Sequence, residues 1–387
     1  MIKIAAIFGT RPDTIKMAPV LSALRTYRHE FRTITIATAQ HREMLDQVLD
    51  IFKIEVNHDF DIMRPKQSLS HLVMGALGKL DAAFREIRPH MVLVQGDTST
   101  TFVASLAAFY NRIPVGHIEA GLRTQDKYQP FPEEMNRRLT SSLVDIHFAP
   151  TATARRALLA ENIAEEKIFL TGNTVIDALL ATVEKRHAFR NPLLRAIAEE
   201  GRRLKRRIVL VTCHRRENWG RPMSRVCGAI KRLSDRYREV MFLFPVHLNP
   251  VVREVVFPIL GGLDNVFLIE PLEYKSFVNL MNESYLILTD SGGVQEEAPS
   301  LGKPVLVLRE VTERPEAVEA GTVKLVGLNE RKIFVEASHL LNSPTAYRRM
   351  ATATNPYGDG KAAWRIVEVL RYHFGFRKTK VLECRAG

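Results

Sequence analysis

The chain has 387 residues, of which 46% are hydrophobic, 25% charged and 8% aromatic. This composition is typical of a globular protein and excludes a fibrous or intrinsically disordered chain. Because a single hydrophobic core rarely serves more than about 250–300 residues, the length predicts two domains.

The net charge of +12 is concentrated in two segments. Residues 184–207 contain nine Lys or Arg against three acidic residues, and residues 371–387 contain five against one. Neither segment interleaves aromatic residues as single-strand binders do, and neither matches a helix-turn-helix or zinc-finger pattern. We therefore favour a solvated linker and tail over a nucleic-acid surface, and we expect no nucleic-acid partner.

The apolar runs also constrain the cellular location. The first of them, residues 2–8, is too short for a secretory signal, and no run approaches the ~20 residues of a membrane helix. We expect a cytoplasmic protein without membrane insertion. Its cysteines, Cys213, Cys227 and Cys384, lack CxxC spacing and a nearby His cluster, which predicts reduced, non-catalytic thiols and no metal site.

Short aliphatic and β-branched runs alternate with longer helical patterns in both halves of the chain. The runs are residues 4–8, 33–37, 91–94, 115–118 and 146–149, followed by 208–212, 241–244, 266–269, 285–289 and 305–308. Continuous apolar runs of this length favour parallel strands that are covered on both faces. The pattern predicts an α/β fold with two Rossmann-like, doubly wound domains facing a cleft.

The boundary between the domains is expected in the basic stretch between about Leu170 and Arg207, where Asn191-Pro192 and Gly201 interrupt the pattern. We expect an N-terminal domain over residues 1–170 and a C-terminal domain over residues 171–360. A last helix, within about residues 361–376, is expected to pack back on the first domain.

Ligands of such sheets bind beyond the carboxyl ends of the strands, so the residues that follow the apolar runs are informative. After the first run, residues 9–16 read GTRPDTIK, a turn that opens a helix and carries Arg11 and Lys16. Amides at a helix start together with two cations suit a phosphate, although a plain turn with solvated cations fits equally well. The segment lacks the GxGxxG pattern, which argues against NAD.

A second phosphate candidate, residues 290–297, reads DSGGVQEE after the run that ends at Thr289. Gly292 and Gly293 would let a ligand approach the backbone, Ser291 adds a hydroxyl group, and Glu297 could accept hydrogen bonds from ribose. The alternative is an ordinary Ser-Gly-Gly turn.

Three acids are candidates for proton transfer. Asp97 and Glu119 follow strand-like runs, and Glu133 stands in the sequence PFPEE. Each has an alternative structural role. Asp97 could be the N-cap of a helix starting near Thr100. Glu133 could be an acid in the first turn of a helix, where Glu133 and Glu134 would pair with Arg137 and Arg138 four residues later.

Two histidines could face an anion. His214 closes the first run of the second half and is followed by two arginines, which suits an anion, although a lone histidine is usually structural. His247, which follows Pro245-Val246, is a weaker candidate of the same kind.

The ordered set of motifs is more specific than any one of them. It comprises GTRP (9–12), QGDT (95–98), HIEAGLR (117–123), PEEMNR (132–137), TGNT (171–174), HRREN (214–218), DSGG (290–293) and ERPE (313–316). Together these motifs resemble the non-hydrolysing UDP-N-acetylglucosamine 2-epimerase family, and the resemblance covers nearly the whole chain.

The resemblance implies a GT-B-like fold, a homodimer, and interconversion of UDP-GlcNAc and UDP-ManNAc without NAD, a metal or another cofactor. Members of the family are thought to eliminate UDP across C1 and C2 of the sugar, which gives 2-acetamidoglucal, and then to add UDP back with a proton on the opposite face of C2. Such a reaction requires acid and base groups on both sides of the ring.

The resemblance also implies roles for the residues. Proton transfer falls to Asp97, Glu119 and Glu133, with His214 in the same catalytic set; the diphosphate falls to Arg11, Lys16, His214, Ser291, Gly292, Gly293 and, with less support, Arg314; the ribose falls to Glu297. Which acid serves which face of C2 stays open. The pathway that the family implies is bacterial surface-polysaccharide synthesis.

Some family members bind a second, activating UDP-GlcNAc beside the substrate. The matching positions here are Gln40, Glu43, Lys66, Glu133, Arg215 and His247. Because Glu43 and Lys66 stand where activated members have Gln and Arg, activation is a hypothesis for this chain. A further departure is Asp13, where the family commonly has Glu.

Three other functions remain open at this point. A GT-B glycosyltransferase would share the fold and the nucleotide site but would need an acceptor. A hydrolysing epimerase would release free ManNAc and UDP. A sensor would bind a UDP-sugar without turnover, which the retained acids argue against.

Overall fold

The computed structural model describes residues 1–38, 42–62 and 67–384, and of residues 42–45 it describes only the backbone. The chain divides into two compact units: unit 1 is Met1–Leu180 with Tyr357–Ala386, and unit 2 is Ala181–Pro356. Each unit has one parallel β-sheet with helices between successive strands. The predicted α/β class with two doubly wound domains is confirmed.

The sheet of unit 1 has a point where the direction of winding reverses. Its strands are β1 (Ile2–Phe8), β2 (Phe31–Ala37), β3 (His58–Asp59), β4 (Met91–Gln95), β5 (Val115–Ile118), β6 (Ile146–Ala149) and β7 (Ile168–Leu170). They pair in the order β3-β2-β1-β4-β5-β6-β7, and every pair is parallel. The reversal lies between β1 and β4, and in doubly wound sheets this is where a ligand crevice opens.

Helices cover both faces of this sheet. They are α1 (Arg11–Thr26), α2 (Arg42–Phe52), α3 (Leu69–Ile87), α4 (Ser99–Tyr110), α5 (Glu133–Leu143), α6 (Ala152–Ala160) and α7 (Thr174–Thr182). Alternate residues of β1 enter different cores, because successive side chains of a strand point to opposite faces. Ile4 and Phe8 pack in one core with Met17 of α1, whereas Ala5 and Ile7 belong to the other.

Unit 2 repeats the same architecture. Its strands are β8 (Ile208–Thr212), β9 (Met241–Pro245), β10 (Val266–Ile269), β11 (Leu286–Thr289), β12 (Val305–Val307) and β13 (Val323–Leu325), in the order β10-β9-β8-β11-β12-β13. Its helices are α8 (Pro192–Leu204), α9 (Arg221–Arg236), α10 (Pro250–Leu260), α11 (Tyr274–Glu283), α12 (Gly292–Glu297), α13 (Pro315–Glu319), α14 (Glu330–Asn342) and α15 (Pro344–Ala351). Here the reversal lies between β8 and β11. None of the described helices in either unit is long and apolar enough to cross a bilayer.

All ten apolar runs are strands, with ends within two residues of the prediction. Three strands were not predicted, namely β3, β7 and β13. They have only two or three residues each, so neither alternation nor a sustained apolar run could reveal them.

The expectation that the basic stretch 184–207 is a solvated linker is wrong for most of its length. Residues 192–204 form α8, which buries Leu194, Ile197 and Ala198. Gly201 also lies in the core, where an added Cβ would come within 3.0 Å of the Met241 Cε atom. The cations of this helix lie on its exposed side. The stretch is therefore an amphipathic helix, and its high charge led to the prediction of a linker.

The last helix, α16 (Ala362–His373), packs in unit 1 against α1 and shares the core of Ile4 and Phe8. The Asp177 carboxylate accepts hydrogen bonds from the backbone amides of Ala362 at 3.2 Å and Ala363 at 2.8 Å, at the start of the helix. Near its end, Arg371 donates to both Glu30 oxygens at 2.7 and 2.9 Å. Apolar packing and charged contacts thus hold α16 at both ends.

We predict that Leu370→Ala destabilises unit 1, because Leu370 of α16 is fully buried. Removing a buried Leu side chain costs about 2–5 kcal/mol, so the urea midpoint followed by circular dichroism should fall. Leu382→Ala is the matched control, since Leu382 is 78% exposed in the same C-terminal segment. Equal midpoints for the two variants would contradict the packing of α16.

Candidate functional site

Charged side chains gather at the carboxyl ends of β1, β4 and β5, where the winding of unit 1 reverses. Glu119 follows β5 directly and is only 6% exposed. Its backbone has a φ of +64°, a left-handed conformation that is costly for a residue with a side chain. The carboxylate accepts hydrogen bonds from Lys16 Nζ and, at 3.2 Å, from Asn173 Nδ2. The strained backbone therefore directs Glu119 into a set of donors.

Arg137 of α5 joins the two acids that follow β4 and β5. Its guanidinium is 4% exposed, forms an ion pair with the Asp97 carboxylate, and donates to the Glu119 carbonyl. Its Nη2 atom also lies 3.4 Å from Glu119 Oε1. Burial lowers the pKa of this guanidinium, but the two neighbouring carboxylates raise it more, so the net direction is upward. Asp97 and Glu119 are thus held around one buried positive charge.

Of the two pairs that the sequence offered as a structural alternative for α5, the pair of Glu133 with Arg137 is replaced by contacts of Arg137 with Asp97 and Glu119. The other pair, Glu134 with Arg138, is present at 2.8 Å and joins a buried carboxylate to a partly exposed guanidinium, whereas Arg137 turns inward. Glu133 and Arg137 are four residues apart, so the PEEMNR motif predicted that they lie on the same face of a helix. It could not show that the face meets the ends of β4 and β5.

The turn that carries Asp97 is held by two neighbouring side chains. Gly96 adopts a φ of +74°, and its carbonyl lies 2.7 Å from Nε2 of the buried His117. The Asp97 carbonyl accepts a hydrogen bond from Asn136 Nδ2 at 3.0 Å. The alternative that Asp97 caps the next helix is wrong, because the N-cap of α4 is Thr98. The Asp97 side chain is therefore available to Arg137.

Asp13 is a buried carboxyl group beside this cluster. Its Oδ2 atom accepts hydrogen bonds from the Thr10 amide at 3.3 Å and the Thr98 hydroxyl at 3.2 Å. Burial raises the pKa of Asp13 to about 7, and the negative charge of Asp97 adds to this, against the lowering effects of Thr10, Lys16 and Thr98. Unit 1 thus contains a carboxyl group that gains and loses its proton near neutral pH.

Glu133 is half-buried at the start of α5. Burial raises the pKa of its carboxyl group, and the charge of Asp97 acts in the same direction, while its own backbone amide and Arg137 oppose the shift. Glu133 and Asp97 are therefore acids in different surroundings, since one is desolvated and the other is paired with a guanidinium.

The turn after β1 has the predicted form. Helix α1 begins at Arg11, and Thr10 and Asp13 form a capping box at its start. Lys16 pairs with Glu119, whereas Arg11 has no ion-pair partner among the residues that the structure describes. Arg11 and the start of α1 thus offer positive charge to an anion, and Lys16 neutralises Glu119.

In unit 2, His214 and Asp290 meet where the winding of the second sheet reverses. His214 lies two residues beyond β8, and Asp290 follows β11 directly. The Asp290 carboxylate is fully buried, and its Oδ1 atom lies 3.3 Å from Nδ1 of the half-exposed His214 ring. The ring of His247 lies beside that of His214, with centroids 6.2 Å apart and an interplanar angle of 18°.

The DSGG segment forms the start of α12, with Ser291 as its N-cap. A Cβ atom on Gly292 would lie 3.6 Å from Arg215 Nη2 and 3.9 Å from Arg314 Nη2. Two guanidinium groups therefore flank a piece of backbone that has no side chain. Arg314 also forms an ion pair with the buried Glu296. This arrangement suits an anion that approaches the backbone closely.

Glu297 ends α12 and accepts a hydrogen bond from the Tyr274 hydroxyl at 3.4 Å. Near Gly293, an added Cβ would lie 3.4 Å from Glu297 Oε1. The carboxylate thus lies beside Gly293, where it can accept a hydrogen bond from a hydroxyl group of a ligand.

The hypothetical activating set is only partly described. Gln40, Lys66 and the side chain of Glu43 lie outside the described residues. Glu133 belongs to unit 1, and Arg215 and His247 belong to unit 2. Arg215 lies 3.6 Å from Glu313 and 4.0 Å from Glu217.

Each unit therefore offers a different chemistry. In unit 1, Arg137 pairs with Asp97 and Glu119, Lys16 pairs with Glu119, and the charge of Asp97 helps to raise the pKa of Glu133. Unit 2 offers histidine, guanidinium and open backbone. Within the described ranges, no group of three or more His, Cys, Asp or Glu side chains is arranged to hold a metal ion.

Comparison with known proteins adds independent information. The family model described as UDP-N-acetylglucosamine 2-epimerase matches residues 24–371. The UDP-N-acetylglucosamine 2-epimerase of Bacillus subtilis is 53% identical over 377 residues, which cover 97% of each chain.

Two solved structures bear on the ligand. The S. aureus MnaA-UDP co-structure has a TM-score of 0.86 and 47% identity, covering 99% of this chain and 100% of that one. The UDP-GlcNAc 2-epimerase from Neisseria meningitidis bound to UDP-GlcNAc has a TM-score of 0.84 and 49% identity, covering 95% and 99%. The family match spans most of the chain and the relatives cover nearly all of it, so the resemblance seen in the motifs is confirmed: the chain belongs to the UDP-N-acetylglucosamine 2-epimerase family.

Proposed function

We propose that this protein interconverts UDP-GlcNAc and UDP-ManNAc by inverting C2 of the sugar. The observation that carries the proposal is the charged cluster in which the buried Arg137 pairs with Asp97 and Glu119 and Lys16 pairs with Glu119, in a chain that belongs to the epimerase family. The solved relative from N. meningitidis, which is bound to UDP-GlcNAc, supports the choice of substrate.

The reaction we propose is an elimination followed by an addition. A carboxylate takes the proton from C2, the C2–H electron pair forms the C1=C2 double bond, and the C1–O pair leaves with the β-phosphate of UDP. The products, 2-acetamidoglucal and UDP, stay bound. UDP then returns to C1 while an acid delivers a proton to the other face of C2.

The two environments in unit 1 suggest which group does what. Desolvation raises the pKa of Glu133, which favours its acid form. Asp97 is paired with Arg137 and can act as the base. We therefore assign proton delivery to Glu133 and proton removal to Asp97 in one direction, with the roles exchanged in the other. Glu119, held by Lys16 and Asn173, completes the set and shapes the field around the ring.

The diphosphate is assigned to cations and open backbone. Arg11 in unit 1, and His214, Arg314 and the backbone of residues 291–293 in unit 2, are the groups that we expect to bind it. They would stabilise the negative charge that develops on the leaving phosphate as the C1–O bond breaks. Lys16 contributes through its pairing with Glu119, and Glu297 binds the ribose.

Proton NMR in deuterium oxide tests the proposal. The purified protein is incubated with UDP-GlcNAc and EDTA, without NAD. We expect deuterium at C2 together with new UDP-ManNAc, because the C2 proton exchanges in the bound intermediate. Free ManNAc would indicate a hydrolysing enzyme, and an unchanged substrate would indicate a glycosyltransferase or a sensor.

Arg137→Lys should lower kcat at least about tenfold, because one ammonium cannot reproduce the paired contacts of a guanidinium with Asp97 and Glu119. Arg138→Lys is the matched control, since Arg138 pairs with Glu134 on the partly exposed side of the same helix. Steady-state rates with UDP-GlcNAc measure both variants. Similar kcat values for the two would argue against the assignment of Arg137.

Asp13→Asn should become more stabilising as the pH rises. The pKa of Asp13 is raised from 3.8 to about 7 in the fold, so folding favours its protonated form. That contribution is complete below about pH 4 and is lost as the pH rises through 7, by a few kcal/mol at about 1.4 kcal/mol per pKa unit. Asn cannot ionise and avoids the loss.

Melting temperatures at pH 5 and pH 8 measure this effect. We expect the difference between Asp13→Asn and wild type to favour the variant more at pH 8. The control is Asp46→Asn, on the exposed side of α2. A pH-independent difference for Asp13→Asn would contradict a raised pKa.

We also infer a cytoplasmic homodimer that supplies UDP-ManNAc to surface-polysaccharide synthesis. The exposed side chains of Met74 on α3 and of Phe109 and Tyr110 on α4 support an apolar contact surface in unit 1, since they are 61%, 58% and 63% exposed. Light scattering after gel filtration should give twice the chain mass, and a monomer mass would contradict the inference.

A further inference from the structure

The most deeply buried acid of unit 2 is Asp290, which is fully inaccessible to solvent where the winding of the sheet reverses. Its Oδ2 atom accepts three hydrogen bonds. The backbone amides of His214 and Arg215 donate at 2.9 Å each, and Asn218 Nδ2 donates at 2.8 Å. This oxygen thus fixes the loop that follows β8 against the end of β11.

The other carboxylate oxygen of Asp290, Oδ1, differs from Oδ2 in its hydrogen bonding. It has no hydrogen bond among the described residues and is as deeply buried as its partner. A buried carboxylate oxygen without a donor is costly, and such atoms call for a specific explanation. The Nδ1 atom of His214 lies 3.3 Å away.

Two groups lie where they could donate a hydrogen bond to Oδ1. One is the His214 imidazole, whose ring is 45% exposed and can adjust by a small rotation. The other is the Cys213 thiol, whose pKa is raised well above its usual value by burial, by the charge of Asp290 and by a hydrogen bond to the Asp290 carboxylate. A thiol is a weak donor compared with an imidazole N–H, so His214 is the better partner.

We propose that Asp290 is a positioning residue that accepts the Nδ1–H of His214 and thereby presents Nε2 of that ring to the diphosphate of the nucleotide. The presence of a diphosphate rests on the proposed function; the pairing of Asp290 with His214 does not. A carboxylate that receives Nδ1–H fixes the tautomer and the orientation of an imidazole, as a second partner does for many functional histidines.

The pairing gives His214 a defined role. With Nδ1–H held by Asp290, the lone pair of the neutral ring is on Nε2, so a proton that binds there creates a cation and a donor toward a phosphate oxygen. The ring of His247 lies alongside at 6.2 Å and restricts how far the His214 ring can swing. The interaction should strengthen as the phosphate gains charge, so its loss should appear in kcat more than in KM.

The test uses Asp290→Asn in the full-length protein, with Asn218→Ala as matched control. Both changes remove a hydrogen bond around the same buried carboxylate, but only the first alters the group that faces His214 Nδ1. Nitrogen-15 NMR of the imidazoles reads the tautomer at a pH where the ring is neutral, and the missing signals in His214→Gln assign it. Steady-state kinetics with UDP-GlcNAc give kcat and KM.

We expect Nδ1–H at His214 in the wild type, in Asn218→Ala and in Cys213→Ala, and Nε2–H in Asp290→Asn. We also expect kcat to fall at least about tenfold in Asp290→Asn, with a smaller change in KM, and to stay within about threefold in Asn218→Ala.

Nε2–H in the wild type, or an unchanged tautomer in Asp290→Asn, would overturn the proposal. Equal losses of kcat in Asp290→Asn and Asn218→Ala would also overturn it, because they would indicate loop packing alone. If the wild type turned over no UDP-GlcNAc, the proposed function would fail, and the tautomer measurement would still decide whether Asp290 and His214 pair.

Discussion

The buried guanidinium of Arg137 is the charge on which the arrangement of Asp97 and Glu119 in unit 1 depends. An arginine that is 4% exposed could not remain in the fold without carboxylates to replace its water, since removing one partner of such a group leaves an uncompensated charge. Asp97 and Glu119 meet that need, and in turn Arg137 fixes where both carboxylates lie. The same contacts thus stabilise the buried guanidinium and position the two carboxylates.

Backbone turns also orient the two acids. Glu119 is held in a left-handed conformation and Gly96 in another, so both acids are aimed by turns that directly follow parallel strands. The Asp13 carboxylate links the turn after β1 to the turn after β4, because it accepts hydrogen bonds from the Thr10 amide and the Thr98 hydroxyl. The resemblance to the family suggested a Glu at this position, and the shorter Asp13 side chain reaches both Thr10 and Thr98.

Unit 2 also contains buried acids at the end of its sheet, and their surroundings differ from those in unit 1. One of its buried acids, Asp290, accepts hydrogen bonds from N–H groups of the loop after β8 rather than from a guanidinium. The arginines there, Arg215 and Arg314, flank the open backbone at Gly292. The end of the first sheet therefore gathers carboxylates around Arg137, whereas at the end of the second sheet two guanidinium groups lie beside the start of α12. The first arrangement suits the proton transfer that we propose, and the second suits the proposed binding of a diphosphate.

The amino-acid sequence by itself determined the α/β class, ten of the strands and the family, because runs of buried β-branched residues and ordered motifs are local properties of the chain. It also pointed to Asp97, Glu119 and His214 through their positions after strands. Only the tertiary structure decided that Arg137 turns inward, that Thr98 rather than Asp97 caps α4, that the basic stretch contains α8, and that Asp290 lies against His214. Each of these depends on contacts between residues distant in the chain, and burial and partner choice across such distances are set by packing, which no local pattern encodes.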